Sequence, residues 1–99
     1  MEIAIHAPNM HAQVDALEED VRHALAHSAD RLTRVEVFLK DVNADKGGVD
    51  KNCVVEARPR GLDPVAAEHT AATLHEAVQG AARKVQRQLE HRFGKLDSK

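Results

Sequence analysis

The chain has 99 residues, 42% of them hydrophobic and 30% charged, enough for one core but not two, and too apolar for a disordered polymer. Phe38 and Phe93 are the whole aromatic content and Cys53 is the single cysteine, which excludes an internal disulfide and a Cys-rich zinc site and argues against an aromatic cage for a cofactor. The formal charge of −2 is uneven: residues 1–50 carry five Lys/Arg against ten Asp/Glu, residues 51–99 nine against six, and the last nineteen alone are net +4.

Residues 2–6 (Glu-Ile-Ala-Ile-His) alternate apolar and polar side chains, the period of a half-buried strand. Pro8 and Asn9 should end it, because proline lacks the amide that a ladder needs. From Val14 the period lengthens. Val14, Leu17, Val21, Ala24 and Leu25 share one helical face, Glu18-Glu19-Asp20 lie near the end where the helix dipole favours acids, and the helix should fade around Ser28–Asp30.

Alternation returns over residues 34–42, with Val35, Val37 and Leu39 on one face and Glu36, Phe38 and Lys40 on the other. Gly47-Gly48, within Asn43–Asp50, predicts a hairpin connection. Residues 52–58 make the third strand, Cys53, Val55 and Ala57 facing inward, so Cys53 reads as a buried, inert thiol. Pro59, Gly61 and Pro64 break the pattern. Residues 65–70 form a short fourth strand, although the alanines there and just after also tolerate a helix.

The last element opens with Thr73 and Glu76, spaced for a capping box. Leu74, Val78, Ala81, Val85, Leu89, Phe93 and Leu96 follow as one apolar stripe, a helix of about 20 residues with Gly80 as its weak point. The order β-α-β-β-β-α gives an α+β fold in a single domain, residues 1–99. Both helices must cover one face of a four-stranded sheet, a two-layer sandwich.

No stretch approaches the roughly 20 apolar residues of a membrane span, and no basic-then-apolar leader opens the chain, so a cytoplasmic protein is expected. His23 and His27 stand four apart but lack an evident third ligand, and His75-Glu76 is followed by Gln79 where a metal-binding signature needs histidine; neither predicts a metal. There is no Gly-rich phosphate loop, serine-nucleophile elbow or suggestively spaced carboxylate pair, so neither an enzyme nor a cofactor is expected. Lys84, Arg87, His91 and Lys95 recur at intervals of three and four along the last helix. Arg83 extends that patch, and Arg58 and Arg60 form a smaller one around Pro59. Such residues are either a solvated face or a surface for phosphates.

Three segments carry a family resemblance. Met1-Glu2-Ile3-Ala4-Ile5-His6-Ala7-Pro8-Asn9-Met10 resembles the opening strand and turn of the ribosome hibernation-promoting factor and ribosome-associated inhibitor A family (sigma-54 modulation protein, S30AE-like). Leu32-Thr33-Arg34-Val35-Glu36-Val37-Phe38-Leu39 resembles its second strand. Thr73-Leu74-His75-Glu76-Ala77-Val78 with Lys84-Val85-Gln86-Arg87-Gln88-Leu89 resembles its second helix, with Thr73 and His75 where the family usually has aspartate and tyrosine. The first helix, commonly lysine-rich in that family, starts acidic here.

The resemblance is to the short form, without the further C-terminal domain. It implies a stress-response regulator of translation that binds the small ribosomal subunit and its 16S-type rRNA across the mRNA and tRNA sites. Arg58, Arg60, Arg83, Lys84, Arg87, His91 and Lys95 would then be the RNA-binding residues. The alternative is a protein-interaction module of the same fold, self-associating through a sheet edge or through the face bearing Phe38 and Val54. A double-stranded-RNA-binding domain ranks below both, because its terminal helix should open with lysines.

Overall fold

The computed structural model describes residues 1–7, 14–41 and 51–97. Strand β1 (Glu2–His6) is followed by helix α1 (Val14–Ala24), a 3₁₀ segment (Ala26–Arg31), β2 (Leu32–Asp41), β3 (Lys51–Pro59), β4 (Val65–Ala71) and α2 (Leu74–Asp97). This is the predicted order, and the alanine-rich fourth element is a strand. The Pro8-Asn9 break and the Asn43–Asp50 hairpin connection lie outside the described residues.

The sheet order is β1-β2-β3-β4. β1 runs parallel to β2 and the other neighbours are antiparallel. A parallel pair needs a crossover, and α1 lies in it. Val35, Val37 and Leu39 of β2 stand opposite Ala57, Val55 and Cys53 of β3, and all six are buried. Their neighbours Glu36, Phe38 and Glu56 take the opposite face, as period two requires.

Leu32 and Val35 are both buried although three residues apart, a parity that a regular strand cannot satisfy. The ladder resolves it with a register shift between Leu32 and Arg34, where Thr33 Oγ1 donates to the Arg58 carbonyl at 3.1 Å. A one-residue irregularity of this kind re-aims the strand so that both apolar side chains reach the core.

The helices close one face of the sheet. Ala77, Val78, Ala81, Ala82, Val85, Leu89 and Phe93 of α2 join Leu17 and Val21 of α1 in a single cluster with the inward strand residues. α1 is shorter than its periodicity suggests. It ends at Ala24, Leu25 stays buried, and Ser28 N–H donates to the Leu25 carbonyl (3.0 Å), the tighter winding of a 3₁₀ turn. Val14 and Leu96, predicted on the apolar stripes, are 38% and 43% exposed. α2, with 24 residues, extends about 36 Å against about 23 Å for the seven residues of β4, so its last turn outruns the sheet.

The start of α2 carries the Thr73 half of the predicted capping box, Glu76 N–H donating to Thr73 Oγ1 at 3.1 Å. Gly80 is not the weak point that its propensity suggests. A Cβ there would fall inside contact distance of the His69 ring. The glycine therefore lets α2 lie close on β4.

Candidate nucleic-acid interface

With a repeat of 3.6 residues, every fourth position on α2 falls in a slowly turning row. The row nearest β4 is Lys84, Gln88 and Arg92. Lys84 Nζ donates to the Glu68 carbonyl (2.9 Å), Gln88 Nε2 to the Ala66 carbonyl (3.0 Å) and Arg92 Nη1 to the Asp63 carbonyl (2.5 Å). β4 is an edge strand, so alternate carbonyls point away from the sheet and need partners from elsewhere. Lys84 and Gln88 supply two of them, and Arg92 meets the Asp63 carbonyl just before the strand.

The next row, Arg83, Arg87 and His91, faces away from the core and is exposed. Among the described residues, no hydrogen bond or ion pair engages these three. Lys95, also exposed, lies one turn further on. Arg87, His91, Arg92 and Lys95 surround a groove of about 490 Å³ floored by Val65 and Gln88. Three of its rim residues, Arg87, Arg92 and Lys95, are cationic, which suits a phosphate chain.

The structure thus divides the predicted residues. Arg83, Arg87, His91 and Lys95 come together on one surface. Lys84 borders it, with its ammonium turned to the strand. Arg58 projects from the open face of the sheet, the side away from α2, with Nη2 3.4 Å from Glu56 Oε1. Arg60 caps the far end of β3, its N–H on the Arg31 carbonyl (2.8 Å) and Nη1 on the Asp30 carbonyl (3.3 Å). Sequence reasoning missed Arg92 as a wall of the groove, although its spacing from Lys84 and Gln88 was a usable signal. It also missed Arg31, whose guanidinium lies 3.8 Å from the centre of the Phe93 ring. That contact joins distant segments and has no local signature.

Elsewhere, among the described residues, charged side chains of the open face pair with one another. On the open face Glu2 pairs with Arg34 (2.8 Å), Arg34 with Glu36 (3.5 Å), and Glu36 with His6 Nε2 (3.0 Å), while the His6 ring stacks on Phe38 at 4.7 Å. The His6 hydrogen bond, helped by the charge of Arg34, holds the Glu36 carboxyl below its ordinary value despite some desolvation. Asn52 Nδ2, buried beneath this face, donates to Glu68 Oε2 (2.7 Å) and Thr70 Oγ1 (3.1 Å). The acidic stretch Glu18-Glu19-Asp20, expected near the start of α1, lies at mid-helix beyond first-turn Asp15 and is also in use. Asp20 contacts His75 Nδ1 (2.5 Å) and Gln79 Nε2 (3.4 Å) and so ties α1 to α2.

Burial pushes the Cys53 thiol up to about 12, which leaves it without thiolate character. α1 ends between His23 and His27, placing them on different helix types, and among the described residues no three His, Cys, Asp or Glu gather as a metal site. No described helix is long and apolar enough to cross a membrane.

No curated protein matches the chain in sequence. Among solved structures, the ribosomal subunit interface protein from Coxiella burnetii superposes with a TM-score of 0.74 at 15% identity, over 95% of this chain and 99% of that one. The N-terminal domain of Protein Y from Thermus thermophilus does so with a TM-score of 0.67 at 19% identity, over 92% and 98%. At these identities the likeness is one of fold. The model of the family described as sigma 54 modulation protein / S30EA ribosomal protein matches residues 3–97, and the chain belongs to that family.

Proposed function

We propose that the protein is a ribosome-associated regulator of translation, of the hibernation type, which binds the small ribosomal subunit in the cytoplasm through the outer surface of α2. Bound there, it would occlude the paths of mRNA and tRNA without any covalent chemistry. The family supports the ribosome as partner, and both structural neighbours have the same fold, one of them named for the interface between ribosomal subunits. The observation that carries the choice of surface is the row Arg83, Arg87 and His91, continued by Lys95. Folded RNA is bound mainly through phosphate charge and shape, and exposed cations along one helix meet that need.

The test is co-sedimentation with purified small subunits at low and moderate salt. Each phosphate contact contributes about 0.7–0.9 to the slope of log affinity against log salt. The wild-type protein should pellet at low salt and be released as salt rises. Arg83→Gln/Arg87→Gln/Lys95→Gln should bind weakly with a shallower slope, and Arg58→Gln, on the open face of the sheet away from α2, should bind as wild type. Absence of pelleting even at low salt would sink this reading and leave a protein-interaction module of the same fold.

A further inference from the structure

β4 has the outward carbonyls of Ala66 and Glu68 covered by α2; for β1, at the other end of the sheet, no such contact is found among the described residues. Among the described residues only β2 pairs with β1 through the backbone. The strand carries no lysine, proline or bulge, three of the devices that protect an exposed edge.

Its sequence is self-complementary. In an antiparallel pair, residues directly opposite each other share a face of the sheet. Pairing two copies about Ala4 sets Glu2 against His6 of the partner subunit, and Ile3 against the partner's Ile5. The pleat agrees with this register. Ile3 and Ile5 align with the buried Val35 and Val37 and are only partly buried themselves, whereas Glu2, Ala4 and His6 share the open face with Arg34, Glu36 and Phe38. The charges also fall in sequence, because Glu2 is already held by Arg34 and His6 by Glu36. The row across the junction would run Arg34, Glu2, His6 of the partner subunit, the partner's Glu36, alternating in sign when the histidine is protonated.

We infer that the β1 edge is a self-association surface, at which a second copy of this chain adds antiparallel about a two-fold axis at Ala4 to give a continuous eight-stranded sheet. An isologous contact of this kind closes on itself and makes a dimer, not a filament. The interface is short, so the dimer is weak and forms as protein concentration rises. It leaves α2 exposed in both copies and is independent of ribosome binding.

The experiment uses the full chain without ribosomes. Sedimentation equilibrium from micromolar to millimolar protein should show the mass rising from 10.9 kDa towards twice that value. Glu2→Lys removes, twice across the axis, the carboxylate that faces His6 and puts a lysine on the edge, and should weaken association by on the order of tenfold. Opposed Cα atoms lie about 4.5–5.5 Å apart, within disulfide reach, so Ala4→Cys should oxidise to a covalent dimer while buried Cys53 stays reduced. Thr70→Cys, on the same face of β4, should remain monomeric. A wild-type mass that stays at 10.9 kDa throughout would overturn the inference. So would cross-linking as fast at position 70 as at position 4, or undiminished association of Glu2→Lys. If a variant loses its native circular dichroism, the wild-type mass decides alone.

Discussion

Along β4, the carbonyls of Ala66 and Glu68 are met by Gln88 and Lys84, and Asp63 just before the strand is met by Arg92. Along β1, the matching groups of Glu2–His6 face outward with no such cover among the described residues. The difference arises because α2 packs over β3 and β4, while the shorter α1 lies mainly against α2. It teaches that a basic residue on a helix is not automatically available to an anion. Lys84 and Arg87 are three positions apart on α2, yet one donates to a strand and the other to nothing in the described chain.

The largest effect should come from breaking the closed edge outright. Gly80→Val would place a branched side chain against the His69 ring and push α2 off β4, at about 2–3 kcal/mol of stability. Chemical denaturation should show that loss, and part of it should return in His69→Ala/Gly80→Val, because the two sites are in contact.

Smaller changes sharpen the contrast within α2. Lys84→Met leaves the Glu68 carbonyl without its ammonium partner and should cost about 0.5–1.5 kcal/mol, with little change in affinity for small subunits. Arg87→Met should do the reverse, leaving the denaturation midpoint unmoved and weakening sedimentation with subunits. Equal losses of affinity in both variants would erase the distinction between the two rows.

The smallest effect belongs to the open side. Glu36 ionises more readily in the folded protein because of His6 and Arg34. Its contribution is therefore present above the ordinary carboxylate value of 4.5 and is lost as pH falls through and below it. Wild type should be slightly more stable than Glu36→Gln near neutrality, with the gap closing in acid; thermal melts from neutral pH into that range would measure it.

Much of this architecture can be read from residue patterns. Period two marks β2 and β3, the Thr73-to-Glu76 spacing marks the start of α2, and the stripe through Val78, Val85 and Leu89 gives its buried face. The bulge left only a trace, the odd spacing of Leu32 and Val35. The end of α1 was hidden because Leu25 continues the apolar period across the change to 3₁₀ winding. The candidate site was half legible. Spacing located the basic rows of α2 but could not assign Lys84 to an acceptor 16 residues away, or Asp20 to a histidine 55 residues away, because those partners are set by packing. Gly80 was misjudged for the same reason, as helix propensity describes a lone helix and not one lying on a histidine ring.

The sheet order also bears on how the chain assembles. β2, β3, β4 and α2 follow one another in sequence, and each of these strands is hydrogen-bonded to the next. β1 instead pairs across a gap, Glu2 with Arg34, beyond the whole of α1. Closing that longer loop costs more chain entropy and returns contacts on one side only. β1 is therefore expected to join the sheet late and detach first, so the amides of Ile3 and Ile5 should exchange faster than those of Val35 and Val37 in hydrogen-exchange measurements. The strand with the uncovered edge is thus also the one whose presence in the sheet is most open to modulation.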